Sequence, residues 1–351
     1  MAYKLAIIGY GGMGEWHHRN IQERIKEIEV VGAYDVRPEQ GERAVTAGLK
    51  SYVSLEDLLE DESIDIVTIA TPNNFHKEIA IGAMQHGKHV ICEKPVMMNA
   101  NELEEVMAVQ KQTGKLFSIH QNRRWDRDYR IIKEIVDKNR IGKPYYIESR
   151  VQGSRRALHG WRGYKVNGGG MLFDWGVHLI DQMLELISSP AVEINGFLLS
   201  IYSEEVDDNF KLMIRFETGE VALIEVATNC FINQPRWHIC CKDGTAVVED
   251  WDCKGKIIGL HIEEEIPWDN EIVYTEAGPT RTMAPRPVHT TKEEALPTVE
   301  TDWSDYYRNI VGVIKGTEEL IVKPEQALRV MKVIDYVFES QQKGKKIMCH
   351  I

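Results

Sequence analysis

Apolar positions recur along this chain in two rhythms, and the change between them falls near residue 121. Before it, five short apolar runs have the length and composition of strands buried on both faces: Lys4 to Ile8, Val30 to Tyr34, Ile64 to Ala70, His89 to Cys92 and Leu116 to His120. Helical spacing separates them. One pattern reaches about Ile28, then come Pro38 to Ala47, a short helix opened by Ser54-x-x-Asp57, and Asn101 to Gln112. Strand, helix, strand in that repeat predicts a doubly wound parallel sheet over residues 1–121.

Residues 122–351 read differently. Tyr145 to Val151, Phe197 to Tyr202, Lys211 to Phe216, Val221 to Val226, Trp237 to Cys241 and Ala246 to Glu249 have strand patterns. Tight turns at Thr218-Gly219-Glu220 and Asp243-Gly244 join neighbours among them, which predicts an open antiparallel sheet. If that sheet leaves its second face apolar, a second copy is the expected cover, giving a homodimer or homotetramer. Glu263-Glu264-Glu265 and Pro267 to Pro297 show no period and are expected as a surface excursion. Apolar stripes over Asp302 to Lys315 and Pro324 to Gln341 predict late helices that pack back on the body of the protein.

Candidate chemistry sits where predicted strands end. After the first strand come Gly9, Gly11, Gly12, Met13 and Gly14 in a GxGxxG loop that opens a helix, and Asp35 closes the next strand. Glycines here allow a tight turn, close approach of a pyrophosphate to backbone amides, and helix-strand packing; the acid accepts from ribose hydroxyls. Asp35 favours NAD, while Arg37 keeps NADP open as an alternative because a guanidinium pairs with a 2′-phosphate. Thr71-Pro72-Asn73-Asn74-Phe75-His76 and Glu93-Lys94-Pro95 follow two later strands, at the edge where open α/β sheets bind ligands. A lysine there is either a solvated charge or, beside a nicotinamide, a proton donor and hydroxyl anchor. His17 and His18 are adjacent on a helix, point in different directions and are read as ordinary helix residues.

Near the middle, Gly168-Gly169-Gly170 precedes a helical pattern that carries Asp174 and His178 at i and i+4. That spacing stacks them on one face, and a carboxylate beside an imidazole fixes its tautomer and raises its basicity. A solvated helix pair is the plainer alternative.

Composition narrows the classes. The formal charge of -12 argues against nucleic-acid or anionic-membrane partners, which select basic surfaces. Six cysteines without a CxxC pair read as free thiols, and no zinc-ligand spacing is present. The early first strand leaves no room for a signal peptide, so a cytoplasmic location is expected.

Together these residues resemble the Gfo/Idh/MocA oxidoreductases, named for glucose-fructose oxidoreductase, inositol dehydrogenase and a rhizopine catabolism protein. The resemblance runs through the glycine loop, Thr71-Pro72 with His76, Glu93-Lys94-Pro95, Asn122-Arg123-Arg124, and Gly168-Gly169-Gly170 with Asp174, His178 and Asp181. It implies an α/β Rossmann domain plus an α+β domain with an open, mainly antiparallel sheet. It implies Lys94, Asp174 and His178 as the catalytic group, with His178 the acid/base, Asp174 its orienting partner and Lys94 a donor to the reacting oxygen. The cofactor would meet Gly9, Gly11, Gly12, Met13, Gly14, Asp35, Arg37, Thr71, Pro72, Asn73, His76, Glu93, Lys94 and Gln121; the substrate, Arg124, Trp161 and Arg162. No metal is required. The expected activity is NAD(P)-dependent hydride transfer at a secondary alcohol or ketone of a sugar, glycoside or polyol. The alternatives are glycoside cleavage through an internal redox cycle and a non-catalytic sugar sensor.

Overall fold

The computed structural model describes residues 2–156, 158–261, 272–281 and 287–351; the Glu263-Glu264-Glu265 run lies outside them. Six strands form the first sheet: β1 (Tyr3–Ile8), β2 (Ile28–Tyr34), β3 (Lys50–Ser51), β4 (Ile66–Ile69), β5 (His89–Cys92) and β6 (Phe117–Ile119). All its pairings are parallel, in the order β3-β2-β1-β4-β5-β6. The connecting helices are α1 (Gly12–Arg24), α2 (Pro38–Thr46), α3 (Leu55–Glu60), α4 (His76–Gln85) and α5 (Ala100–Thr113). Helix α1 stops short of the expected Ile28 because that residue pairs with Tyr3 across the sheet. The Ser54 cap forms as its spacing predicts, accepting from Asp57 N at 3.0 Å. The strand order reverses between β1 and β4, so their carboxyl ends open the crevice in which such sheets hold ligands.

After α6 (Arg127–Asp137), the chain builds a nine-stranded sheet. Its strands are β7 (Pro144–Gln152), β8 (Ala191–Leu199), β9 (Asn209–Phe216), β10 (Val221–Ala227), β11 (Trp237–Cys241), β12 (Gly244–Val248) and β13 (Gly255–Leu260), with two more supplied late in the chain. A separate hairpin pairs β14 (Ile272–Thr275) with β15 (Gly278–Arg281), and then β16 (Thr291–Ala295) joins β13 at the edge of the large sheet. Part of the expected surface excursion is therefore sheet. Between β7 and β8 lies α7 (Val177–Leu186); α8 (Asp305–Ile314), α9 (Pro324–Lys343) and β17 (Ile347–Met348) end the chain. Among the described residues of this sheet only β7 and β10 pair in parallel, because β7 is followed by the long helical segment rather than a hairpin.

Leu212, Ile214 and Phe216 alternate into the core with exposed Lys211, Met213 and Arg215, which fixes the register of β9. Helix α9 lies against β8, α7, α5 and β6 and so touches both sheets. The other face of the large sheet is mixed rather than apolar. Arg150 lies 2.6 Å from Glu148 and 3.9 Å from Glu225, Lys211 also reaches Glu225, and Phe197 and Leu199 stand exposed toward one edge. The strand expected at Phe197 to Tyr202 stops at Leu199 because the Asp208 carboxylate takes the amides of Ile201, Tyr202 and Ser203.

Candidate active site

The glycine loop after β1 has the shape a dinucleotide requires. A Cβ on Gly14 would stand 2.2 Å from the Gly9 carbonyl oxygen, so helix and strand meet too closely for a side chain. A Cβ on Gly12 would meet nothing within 4 Å, and one on Gly11 only the Arg37 guanidinium at 3.6 Å, which leaves space over the start of α1. Asp35 Oδ2 accepts from Tyr10 N at 2.8 Å, while its Oδ1 accepts from Arg37 N at 3.0 Å and Arg37 Nε at 3.4 Å. At the end of β4 the Thr71 hydroxyl is buried without a partner among the described residues. Open space at a helix N-terminus, an acid fixed at the ribose position and an orphaned hydroxyl together fit a nicotinamide dinucleotide.

Several residues assigned to the cofactor from sequence do other work. His76 is fully buried, with its ring nitrogens against the carbonyls of Thr71, 2.9 Å, and Pro95, 3.0 Å, so it clips two loops together. Asn73 Nδ2 donates to the Gly168 carbonyl at 2.8 Å and ties the first sheet to the glycine stretch. The Glu93 carboxylate points inward. It accepts from His17 Nε2 at 2.9 Å, His120 Nδ1 at 2.7 Å and Lys94 N at 3.1 Å, and His17 Nδ1 bonds the Tyr307 hydroxyl. Burial opposes its charge, but His120 and His17 outweigh it and hold the carboxyl well below the usual range. These three side chains have metal-ligand spacing, yet hydrogen bonds already join them. His17, expected as an ordinary helix residue, lies on the buried stripe of α1 with Gly14 and Ile21. A polar residue on an apolar stripe was the signal available for it.

Lys94 follows at the end of β5. Its Nζ donates to Asp174 Oδ1 at 2.9 Å and to the Asp174 carbonyl at 2.8 Å, and Arg162 Nε reaches the same Oδ1 at 3.1 Å. Burial would raise the Asp174 carboxyl, but Lys94 and Arg162 hold it below its ordinary value. Asp174, expected to stack beside His178 and orient it, makes no hydrogen bond to it among the described residues. Leu172–Gly176 forms one π-turn before α7, which widens the turn and disrupts the i, i+4 stacking that an α-helix would give. His178 Nδ1 bonds Gln121 Oε1 instead, at 2.9 Å. Burial first, then the charges of Lys94 and Arg123, push the His178 pKa well below that of free histidine, so the ring is neutral at pH 7.

The helix bearing these groups is anchored at its start and again at its middle. At its start, Gly170 has φ 106°, and a Cβ there would lie 2.3 Å from Asp207 Oδ1; Asp207 Oδ2 accepts from Leu172 N at 2.7 Å. Farther along, Asp181 receives Arg124 Nε at 2.7 Å and Nη2 at 2.6 Å, while Arg124 Nη1 reaches Gln326 on α9. Arg124, a substrate candidate from sequence, is 4% exposed with its donors engaged, so it braces the helix instead. Trp161 packs under the Arg162 guanidinium, 4.6 Å from ring centre. Trp175 stacks on Arg123 at 4.0 Å and lies edge-on to His178, with ring centres 6.3 Å apart.

Known proteins resemble the chain in sequence and fold. Residues 3–121 match the description "Oxidoreductase family, NAD-binding Rossmann fold", and residues 129–247 match "GFO/IDH/MocA C-terminal domain". An NAD-binding protein from Listeria innocua superposes with TM-score 0.92 at 41% identity, covering 99% of each chain. The scyllo-inositol 2-dehydrogenase (NADP(+)) IolW of Bacillus subtilis is 26% identical over 98% of this chain and 95% of its own. An inositol 2-dehydrogenase of Salmonella typhimurium is 30% identical over 43% of this chain and 46% of its own. The chain belongs to the Gfo/Idh/MocA family of oxidoreductases, with an NAD(P)-binding Rossmann domain. Among the described residues no helix is long and apolar enough to cross a membrane.

Proposed function

We propose that this protein is an NAD-dependent dehydrogenase or reductase acting on a secondary alcohol or ketone of a polyol, sugar or glycoside. Residues 1–121 hold the cofactor, and residues 122–351 supply the substrate pocket. A nicotinamide dinucleotide, when bound, supplies hydride acceptance in one direction and hydride donation in the other. The observation that carries the reading is the convergence of Lys94, at the end of a Rossmann strand, with Asp174 and His178 from the other domain.

In oxidation His178 takes the hydroxyl proton through Nε2, the ring nitrogen without a hydrogen bond among the described residues. Lys94 binds the same oxygen and stabilises the charge that develops there, and Asp174 keeps its ammonium in place. Trp161 and Arg162 flank that oxygen site from the loop before the glycine stretch. Asp35 disfavours a 2′-phosphate, and because Arg37 bonds this same carboxylate the balance lies with NAD. The protein works in the cytoplasm, and although the outer face of the large sheet is mixed, its exposed apolar strip of Phe197, Leu199 and Met213 is the contact for a homodimer or homotetramer.

The test is nicotinamide absorbance on mixing the protein with NAD or NADP and a panel of inositols, sugars and glycosides. Reduction with one group of CH-OH substrates, faster with NAD, supports the reading. Cofactor binding with no reduction across the panel contradicts it.

A further inference from the structure

Gln121 stands where β6 gives way to the second domain. Its backbone is fixed on both sides, with its N–H donated to Ile119 at 2.8 Å and its carbonyl accepting from Arg124 N at 3.2 Å. The residue is 2% exposed, and from this seat Oε1 reaches His178 Nδ1. No other hydrogen bond reaches the ring among the described residues.

The surroundings oppose a second proton on that ring. Burial, Lys94, Arg123 and His120 disfavour the imidazolium, and Glu93 favours it. Asp174 is engaged by Lys94 and Arg162. A neutral imidazole has one N–H, and the partner at one nitrogen decides where it sits. An amide oxygen only accepts, so the proton belongs on Nδ1.

We propose that Gln121 is the positioning residue of His178: its amide oxygen holds the ring in the Nδ1–H tautomer and leaves the Nε2 lone pair to receive the substrate proton. The catalytic use of Nε2 rests on the function proposed above; the tautomer does not. A neutral amide differs from the carboxylate that commonly backs an acid/base histidine, because it orients the ring without attracting a second proton. His178 therefore stays a neutral base through the physiological range.

The test is ¹⁵N NMR of the full-length protein with labelled histidine, across the neutral pH range, with His178 assigned by the signal lost in His178→Gln. The expected wild-type spectrum has a protonated Nδ1 and a bare Nε2. Gln121→Leu should shift the ring toward the Nε2–H form, and Gln121→Glu should keep Nδ1–H while moving the titration up by about one pH unit or more. An Nε2–H ring in the wild type overturns the proposal; so does a tautomer unchanged in Gln121→Leu. If the tautomer is as stated but no substrate is turned over, the proposed activity fails and the assignment of Gln121 stands.

Discussion

Lys94 Nζ lies 2.9 Å from Asp174 Oδ1, and this contact joins the end of a Rossmann strand to the helix that carries His178. Both side chains are largely shielded from water, so loss of Asp174 strands the Lys94 charge. Asp174→Ala is expected to cost about 3 kcal/mol of stability and to lower turnover at least about 100-fold, by releasing the Lys94 ammonium. Urea unfolding and steady-state kinetics check the two effects separately.

Arg124 and Asp181 form the opposite case, a buried pair away from the reacting atoms. Burial opposes the Arg124 charge, but Asp181 and Glu185 outweigh it. Arg124→Ala is expected to destabilise by about 3 to 5 kcal/mol. Substrate KM, measured well below the melting temperature, should change much less than for Arg162→Ala.

Asp207 gives a pH signature of its own. Burial raises its carboxyl to about 6, although it accepts from Leu172 N. A raised carboxyl contributes stability that is full below the unfolded value of about 3.9 and is lost as pH rises through about 6. Asp207→Asn keeps an acceptor oxygen for Leu172 and removes that loss. The variant should gain on the order of 2 kcal/mol over wild type between pH 4 and about pH 7, read by denaturant midpoints at each pH. A constant difference across that range contradicts the account.

The buried histidines act with the other sign. Burial is the first cause lowering the proton affinities of His17, His76 and His178. Each takes up a proton on unfolding below the ordinary value of about 6.5, so their stability is full above that pH and falls as pH drops beneath it. The melting temperature should decline below about pH 6.5, and less steeply in His76→Asn.

Much of this fold was legible because each signal was local. The strand ends at Ile8, Cys92 and Phe216 follow from short apolar runs and turn residues. The glycine loop and Asp35 were readable because their spacing states a backbone requirement. What escaped depends on partners distant in sequence. His178 and Gln121 are 57 residues apart, and His17 and Glu93 76; Lys94 and Asp174, 80 apart, were grouped through the family resemblance alone. The Asp174–His178 pairing failed for a local reason, since nothing in the Leu172–Gly176 composition announced a π-turn. Arg124 and Glu93, charged residues beside recognised motifs, looked like ligand contacts; only packing revealed that they face inward.

In the proposed reaction His178 and Lys94 carry proton transfer at a CH-OH carbon. The measurement that tests it most directly is single-turnover nicotinamide reduction in wild type, His178→Ala and Lys94→Ala, with cofactor affinity measured alongside by fluorescence. Both variants are expected to bind cofactor within a few-fold of wild type and to lose hydride transfer by about 100-fold or more. Wild-type rates of nicotinamide reduction in both variants would contradict this assignment.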